Sequence, residues 1–181
     1  MLSPGRVALV VVDLQQKLLP AIDGAEGVLK NSLLLLQLFR TSELPVVITT
    51  QYRKGLGDTV PEVLAAAPGV DPLDKLSFGC FGDPGFLSRL KALAGRDQLV
   101  VAGIESHICV AQTALGALEQ GYEVHVASDA VGSRLASNRA VGLGRMERAG
   151  AVISSAEMAI YEILGRSDGA AFKRMLPFLK G

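Results

Sequence analysis

The apolar positions of this chain fall into short runs that alternate with longer segments of helical periodicity. Runs rich in β-branched residues predict buried strands, because a strand covered on both faces of a sheet has no polar side. The predicted strands cover residues 6–13, 45–50, 99–102, 123–128 and 151–154. Helices are predicted at residues 28–41, 61–67, 83–94, 109–121, 137–149, 156–164 and 170–179. This alternation predicts an α/β fold with three layers and a mostly parallel sheet.

Two segments lack both patterns and are predicted to be irregular. Residues 51–77 are interrupted by glycines and prolines around one short helix, and Lys75 lies near their end. Residues 129–134 follow the fourth predicted strand and are expected to form a loop. Long irregular segments in compact domains often form lids or binding loops, so residues 51–77 are expected to cover a site.

Length and charge narrow the class of protein. The chain has 181 residues, which predicts one domain over residues 1–181. Eighteen Lys and Arg residues balance 18 Asp and Glu residues, so no nucleic-acid or membrane partner is expected. The apolar run at the N-terminus is too short for a signal peptide or membrane span, and a cytoplasmic location is predicted.

Cys109 is the first candidate for chemistry. It follows the third long apolar run and a turn at Gly103, and it begins a helix that ends at Gly121. Unpaired N–H groups and the helix dipole at such a position favour the thiolate, the nucleophilic form of cysteine. The alternative is a buried cysteine that only fills space, which is a common situation for this residue.

Asp13 and Lys75 could each be an ordinary surface or loop residue when considered alone. Their predicted proximity to Cys109 favours a functional role. Asp13 directly follows the first predicted strand, so it either caps the next turn or serves as a functional carboxylate. Asp13 and Cys109 both follow parallel strands and should lie at the same edge of the sheet. Lys75, which as a loop lysine is most simply solvated, belongs to the segment expected to cover that edge. Together they predict a nucleophile with its activating partners, the lysine favouring the thiolate.

Five sequence motifs resemble the isochorismatase-like cysteine hydrolase superfamily, most closely its isochorismatase-domain-containing branch. They are VVDLQQKLLPAI, TTQYRKGLGDTVPE, DKLSFGCF, AGIESHICVAQTALGALEQGYEVHVASDAVGSR and RMERAGAVISS. The resemblance covers roughly residues 5–165. It implies a Rossmann-like sheet with helices on both faces, a homo-oligomer of two or more copies, and an Asp–Lys–Cys triad formed by Asp13, Lys75 and Cys109.

The same resemblance implies further details of the site. A cis peptide bond is expected between Ile104 and Glu105, and the backbone N–H groups of Glu105 and Cys109 would form an oxyanion hole. Such donors act most strongly when they are fixed around the developing charge. Candidates for the substrate pocket, chosen only because they lie within the motifs, are Gln15, Tyr52, Phe78, His107 and Gln112. No role is assigned to Cys80.

Two departures from the wider superfamily bear on the reaction. Nicotinamidases carry an Asp/His metal cluster after the second strand, where this chain has the sequence TTQYR. The only histidines are His107 and His125, so neither a metal site nor another cofactor is expected. True isochorismatases cleave a vinyl ether without a cysteine nucleophile, so Cys109 argues against the reaction that names the family.

The sequence therefore predicts a cysteine hydrolase that acts on a small amide or related C–N bond through a thioester. Asp13 would be the general base and acid, Lys75 would stabilise the thiolate, and Cys109 would be the nucleophile. Two rivals stay open: a redox-responsive or binding protein with Cys109 as a sensor thiol, and an interaction module whose site is idle.

Overall fold

A six-stranded parallel sheet forms the centre of the computed structural model, which describes residues 1–180. Its strands lie in the order β3-β2-β1-β4-β5-β6. Their bounds are β1 Val7–Val12, β2 Val46–Gln51, β3 Leu73–Lys75, β4 Gln98–Ile104, β5 Glu123–Gly132 and β6 Val152–Ser154. The α-helices are α1 Ala25–Thr41, α2 Arg53–Leu56, α3 Pro61–Ala66, α4 Pro84–Ala92, α5 Ala111–Glu119, α6 Ala136–Arg148, α7 Ala156–Leu164 and α8 Ala170–Leu179.

Helices cover both faces of the sheet because the central strand has two apolar faces. All six residues of β1 are fully buried. Its alternate residues Val7, Leu9 and Val11 pack into the core that α1, α3, α7 and α8 complete. The intervening residues of β1 pack into a second core, against apolar side chains of α4, α5 and α6. The predicted three-layer α/β fold with a parallel sheet is confirmed.

Lys75 belongs to a strand, whereas the sequence predicted an irregular segment there. The strand β3 has only three residues and pairs with β2 through Thr49, Thr50 and Gln51. Two of its residues, Asp74 and Lys75, are charged, so no apolar pattern marks it. The pairing with β2 supplies the backbone hydrogen bonds that define the strand, and the side chain of Lys75 finds its partners elsewhere in the fold.

The predicted loop at residues 129–134 is also wrong, because β5 continues to Gly132. The register between β4 and β5 shifts between Val101 and Gly103, and this irregularity accommodates the polar residues that interrupt the apolar run. Asp129 accepts a hydrogen bond from the Ala156 N–H at 2.7 Å, and its carbonyl accepts one from Asn31 at 3.0 Å. Contacts with distant elements therefore satisfy the polar groups that made this segment resemble a loop.

Gly103 allows β1 and β4 to come together at the carboxyl edge of the sheet. It pairs with Val12 and has a φ of +115°, a region that side-chain-bearing residues avoid. A Cβ at this position would collide with the backbone of Val12. The close approach places Asp13 and Glu105, the residues that follow the two strands, at one edge.

Within residues 1–180, no helix combines the length and the apolar character that crossing a bilayer requires.

Candidate active site

Asp13 and Lys75 form a buried ion pair at the carboxyl edge of the sheet. Lys75 Nζ lies 2.7 Å from Asp13 Oδ2, and neither side chain is exposed to solvent. Thr49 Oγ1, from the intervening strand β2, donates to Asp13 Oδ1 at 2.8 Å. Burying two charges costs several kcal/mol per ion unless they are paired and hydrogen-bonded, and here both conditions are met.

Lys75 makes further hydrogen bonds to oxygens around it. Nζ donates to Gln51 Oε1 at 2.9 Å and to the carbonyl oxygens of Phe78 and Ser77 at 3.0 and 3.3 Å. These partners hold the ammonium in a fixed position beside Asp13. Thr49 and Gln51 were not predicted as site residues, although the change from apolar to polar residues at the end of β2, in the sequence TTQ, marks their position.

Cys109 lies in a π-helical turn, Ser106–Val110, that connects β4 to α5. Its side chain is buried, and its thiol lies close enough to Asp13 and Lys75 for both charges to act on it. The fold therefore brings together Asp13, Lys75 and Cys109, the three residues that the sequence grouped.

The pKa of the Cys109 thiol is shifted in the direction opposite to the one that the sequence predicted. Burial raises its pKa to about 12, the negative charge of Asp13 adds to this, and the ammonium of Lys75 opposes it. The expected preference for the thiolate is therefore wrong for the resting protein, since the position before a helix does not outweigh burial beside a carboxylate. Asp13 and Lys75 thus act on the pKa of this thiol in opposite directions.

Cys80 lies beside the same site, next to Thr49. Its Sγ is 3.9 Å from Thr49 Oγ1, and burial raises the pKa of its thiol to about 11. Its backbone N–H donates to Thr113 Oγ1 at 3.0 Å, and Thr113 in turn donates to the Cys109 carbonyl at 2.6 Å. Thr113 thus connects the segment carrying Cys80 to the turn carrying Cys109.

The segment after β4 has the backbone form that the resemblance implied. The peptide bond between Ile104 and Glu105 is cis. The Glu105 carboxylate accepts hydrogen bonds from the Arg134 backbone N–H at 3.0 Å and from Arg134 Nε at 3.1 Å. The side chain of Glu105 is thereby tied to the loop after β5.

The predicted pocket residues do not all lie in one cavity. Phe78 and Gln112 are exposed and line a common cavity of about 470 Å³ with Ser77, Phe81, Leu115 and Glu119. Tyr52 is about half exposed, and His107 Nδ1 lies 3.0 Å from Ser133 Oγ. Gln15 is fully buried, and its side chain is hydrogen-bonded to the backbone of Gln51 and Gly57.

In the described part of the chain, no three His, Cys, Asp or Glu side chains are grouped so that they could hold a metal ion.

Comparisons with known proteins agree with this architecture. A family model described as the isochorismatase domain matches residues 7–158. Isochorismatase domain-containing protein 2 from Danio rerio is 35% identical over 178 residues, covering 98% of this chain and 89% of the relative.

Two solved structures extend the comparison. The MAR1 ribonuclease from Caenorhabditis elegans is 34% identical with a TM-score of 0.93, covering 99% of this chain and 92% of that one. The YcaC gene product from Escherichia coli, described as an octameric hydrolase of unknown specificity, is 27% identical with a TM-score of 0.89, covering 99% and 93%. The chain therefore belongs to the isochorismatase family and is a hydrolase of that family.

Proposed function

We propose that this hydrolase cleaves a small amide or related C–N bond through a thioester on Cys109. The observation that carries the proposal is the buried Asp13–Lys75 ion pair, whose two charges act on the nearby Cys109 thiol. A thiol that only filled space would need neither a carboxylate to accept its proton nor an ammonium to balance the resulting charge.

Asp13 begins the reaction by taking the thiol proton of Cys109 as the sulfur attacks the substrate carbonyl. The charge at the site stays balanced, because the carboxylate becomes neutral while the thiolate forms beside the Lys75 ammonium. The backbone N–H groups of Glu105 and Cys109 stabilise the oxyanion of the tetrahedral intermediate. Asp13 then gives its proton to the leaving nitrogen, and ammonia or an amine departs.

Water completes the cycle by hydrolysing the thioester. Asp13 takes a proton from the attacking water, the C–S bond breaks, and the sulfur regains a proton. The net reaction converts an amide and one water into a carboxylic acid and ammonia or an amine. The raised pKa of the Cys109 thiol fits this order of reaction steps, since the thiol stays protonated until a substrate is positioned for attack.

The panel that tests the proposal contains small amides, ureides and carbamoyl compounds, with ammonia release as the measurement. Wild-type protein should release ammonia, and Cys109→Ala should not; acyl-Cys109 should appear by mass spectrometry when the reaction is quenched. Full ammonia release by Cys109→Ala would refute the mechanism. If the wild-type protein is inactive on every compound, the sensor or binding role becomes the better explanation.

A single-stranded RNA belongs in the same panel because one similar structure is named a ribonuclease. The balanced charge of the chain offers no excess of Lys and Arg for a phosphate backbone, and we expect no cleavage of RNA.

We also propose a homo-oligomer, supported by the octameric YcaC structure. Light scattering over a concentration series would show a mass above that of the 19.0 kDa chain.

A further inference from the structure

The ammonium of Lys75 is surrounded by more acceptors than it has protons. Four oxygens lie within 3.3 Å of Nζ, from Asp13, Gln51, Ser77 and Phe78. An ammonium has three N–H donors, so these oxygens use all of them. Two of these oxygens are the backbone carbonyls of Ser77 and Phe78, and one belongs to the carboxylate of Asp13, the candidate general base. The fourth, Gln51 Oε1, is the one that belongs to an uncharged side chain.

We infer that Gln51 is a positioning residue that fixes Lys75 beside Asp13 and Cys109 while adding no charge to the site. The inference rests on the proposed function, since it assigns Gln51 a role through Lys75. Gln51 and Lys75 are direct neighbours in the ladder between β2 and β3, so the contact follows from the register of the sheet.

The orientation of the Gln51 side chain is fixed by its other hydrogen bonds. Nε2 donates to the Leu76 carbonyl at 2.9 Å, which leaves Oε1 directed at Lys75. The backbone of Gln51 is held as well, because its N–H donates to Gln15 Oε1 at 2.7 Å and its carbonyl accepts from Gln15 Nε2 at 3.1 Å. Gln51 therefore reaches Lys75 as a rigid acceptor.

Charge balance explains why an amide suits this position better than a carboxylate. The ionisable groups that act on the Cys109 thiol are Asp13, Lys75 and Cys80. With Cys80 protonated, Asp13 and Lys75 cancel, and one negative charge can move from Asp13 to the sulfur without changing the total. A glutamate at position 51 would add a second negative charge beside Lys75 and oppose formation of the thiolate.

The test measures the rate at which iodoacetamide labels Cys109 between pH 7 and 9.5, by peptide mass spectrometry. It needs no substrate, and each variant is compared with wild type labelled in parallel. Gln51→Glu should label about threefold to tenfold more slowly than wild type at each pH, the effect of a thiol pKa raised by about one unit. Gln51→Met should also slow labelling, but by less, because it loosens the ammonium without adding charge.

The matched control is Gln98→Met, at the opposite end of the sheet. Like Gln51, Gln98 is buried and hydrogen-bonded to backbone groups, in its case at Ser3 and Met1. Its substitution should lower the melting temperature without changing the labelling rate of Cys109. Lys75→Met is the positive control and should slow labelling most.

The outcomes separate the two proposals. Wild-type labelling in both Gln51 variants, with slow labelling in Lys75→Met, would overturn the role of Gln51 and leave the proposed function standing. Wild-type labelling in Lys75→Met would overturn both, since Lys75 would then not act on the thiol. Circular dichroism of each variant shows that it is folded, and Gln51→Met decides the question if Gln51→Glu does not fold.

Discussion

Lys75 Nζ and Asp13 Oδ2 lie 2.7 Å apart, although Lys75 belongs to β3, Asp13 directly follows β1, and β2 lies between these two strands. The pair spans 62 positions of sequence, and both side chains are fully buried. Such a pair joins the edge strand of the sheet to its centre, beneath the segment that carries Ser77 and Phe78. Its contribution to folding can be measured separately from the catalytic role proposed for it.

Breaking this pair from one side should destabilise the fold more than replacing both partners. Asp13→Asn or Lys75→Met leaves one buried charge without its partner, which costs about 3–5 kcal/mol of unfolding free energy. The double variant leaves no charge and should lose less than the sum of the single losses. Urea denaturation of the four proteins measures the coupling; additive losses would mean that the charges do not interact.

Asp13→Asn should also change the reactivity of Cys109 in the direction opposite to its effect on turnover. The negative charge of Asp13 raises the pKa of the Cys109 thiol, whereas Lys75 lowers it. Removing the carboxylate lets the ammonium stabilise the thiolate, so the pKa falls and iodoacetamide labelling near pH 8 becomes faster. Amide hydrolysis should be lost, because no group remains to shuttle the proton. Slower labelling in this variant would contradict the assigned directions.

The sequence predicted the long buried elements well because each has a local apolar pattern. Strands β1, β2 and β4 all appear at the expected apolar runs. It missed β3, a strand of three residues, because the feature that stabilises Lys75 is a carboxylate from a distant part of the chain. No local pattern can reveal such a partner.

The predicted preference of Cys109 for the thiolate was wrong for a related reason. The position of Cys109 after a strand and before a helix can be read from the sequence, and such a position favours a thiolate. Burial and the distance to Asp13 are set only by the folded chain, and they dominate the pKa of this thiol. The grouping of Asp13, Lys75 and Cys109 was predictable from the edge of the sheet and from the resemblance; the hydrogen bonds of Thr49 and Gln51 were not.

The stability of the protein should fall above about pH 9 because of its two buried thiols. Their pKa values are raised from 9.0 to about 11 for Cys80 and about 12 for Cys109. The folded state therefore keeps protons that the unfolded state releases, so this contribution is complete below pH 9 and is lost as the pH rises toward 11 or 12.

Cys80→Ala isolates one of these thiols. Its unfolding free energy should decline less steeply between pH 8.5 and 10.5 than that of wild type, whatever its absolute stability at neutral pH. Urea denaturation at each pH gives the slope. Equal slopes in the two proteins would show that the Cys80 thiol has an ordinary pKa in the fold.

Gly103→Ala should be among the most destabilising small substitutions in the chain. The residue has a φ of +115°, and the added Cβ would meet the backbone of Val12, which cannot move without disturbing the centre of the sheet. We expect a loss of about 3 kcal/mol or more, from strain and overpacking together. Thermal and urea denaturation measure it.

Gly27→Ala is the matched control, because a Cβ at this position in α1 meets no atom within 4 Å. An alanine there should stabilise the helix by up to about 1 kcal/mol. Equal effects of the two substitutions would mean that the approach of β1 and β4 at Gly103 is not tight.

Arg134 should affect turnover much more than stability. Its Nε and backbone N–H hold the carboxylate of Glu105, whose backbone N–H is one proposed oxyanion donor. The Arg134 side chain is 60% exposed, so its replacement by alanine should cost less than about 1 kcal/mol of unfolding free energy. Loosening an oxyanion donor, in contrast, should reduce kcat for amide hydrolysis by tenfold or more.

Labelling by iodoacetamide distinguishes this effect from a general disturbance of the site, because alkylation forms no oxyanion. Arg134→Ala should therefore keep the wild-type labelling rate of Cys109 while its kcat falls. Arg166→Ala, which removes an exposed ion pair with Asp168 far along the chain, should change neither quantity. A parallel loss of labelling and turnover in Arg134→Ala would mean that the residue supports Cys109 itself, and the tie between Arg134 and Glu105 would then have no separate part in stabilising the transition state.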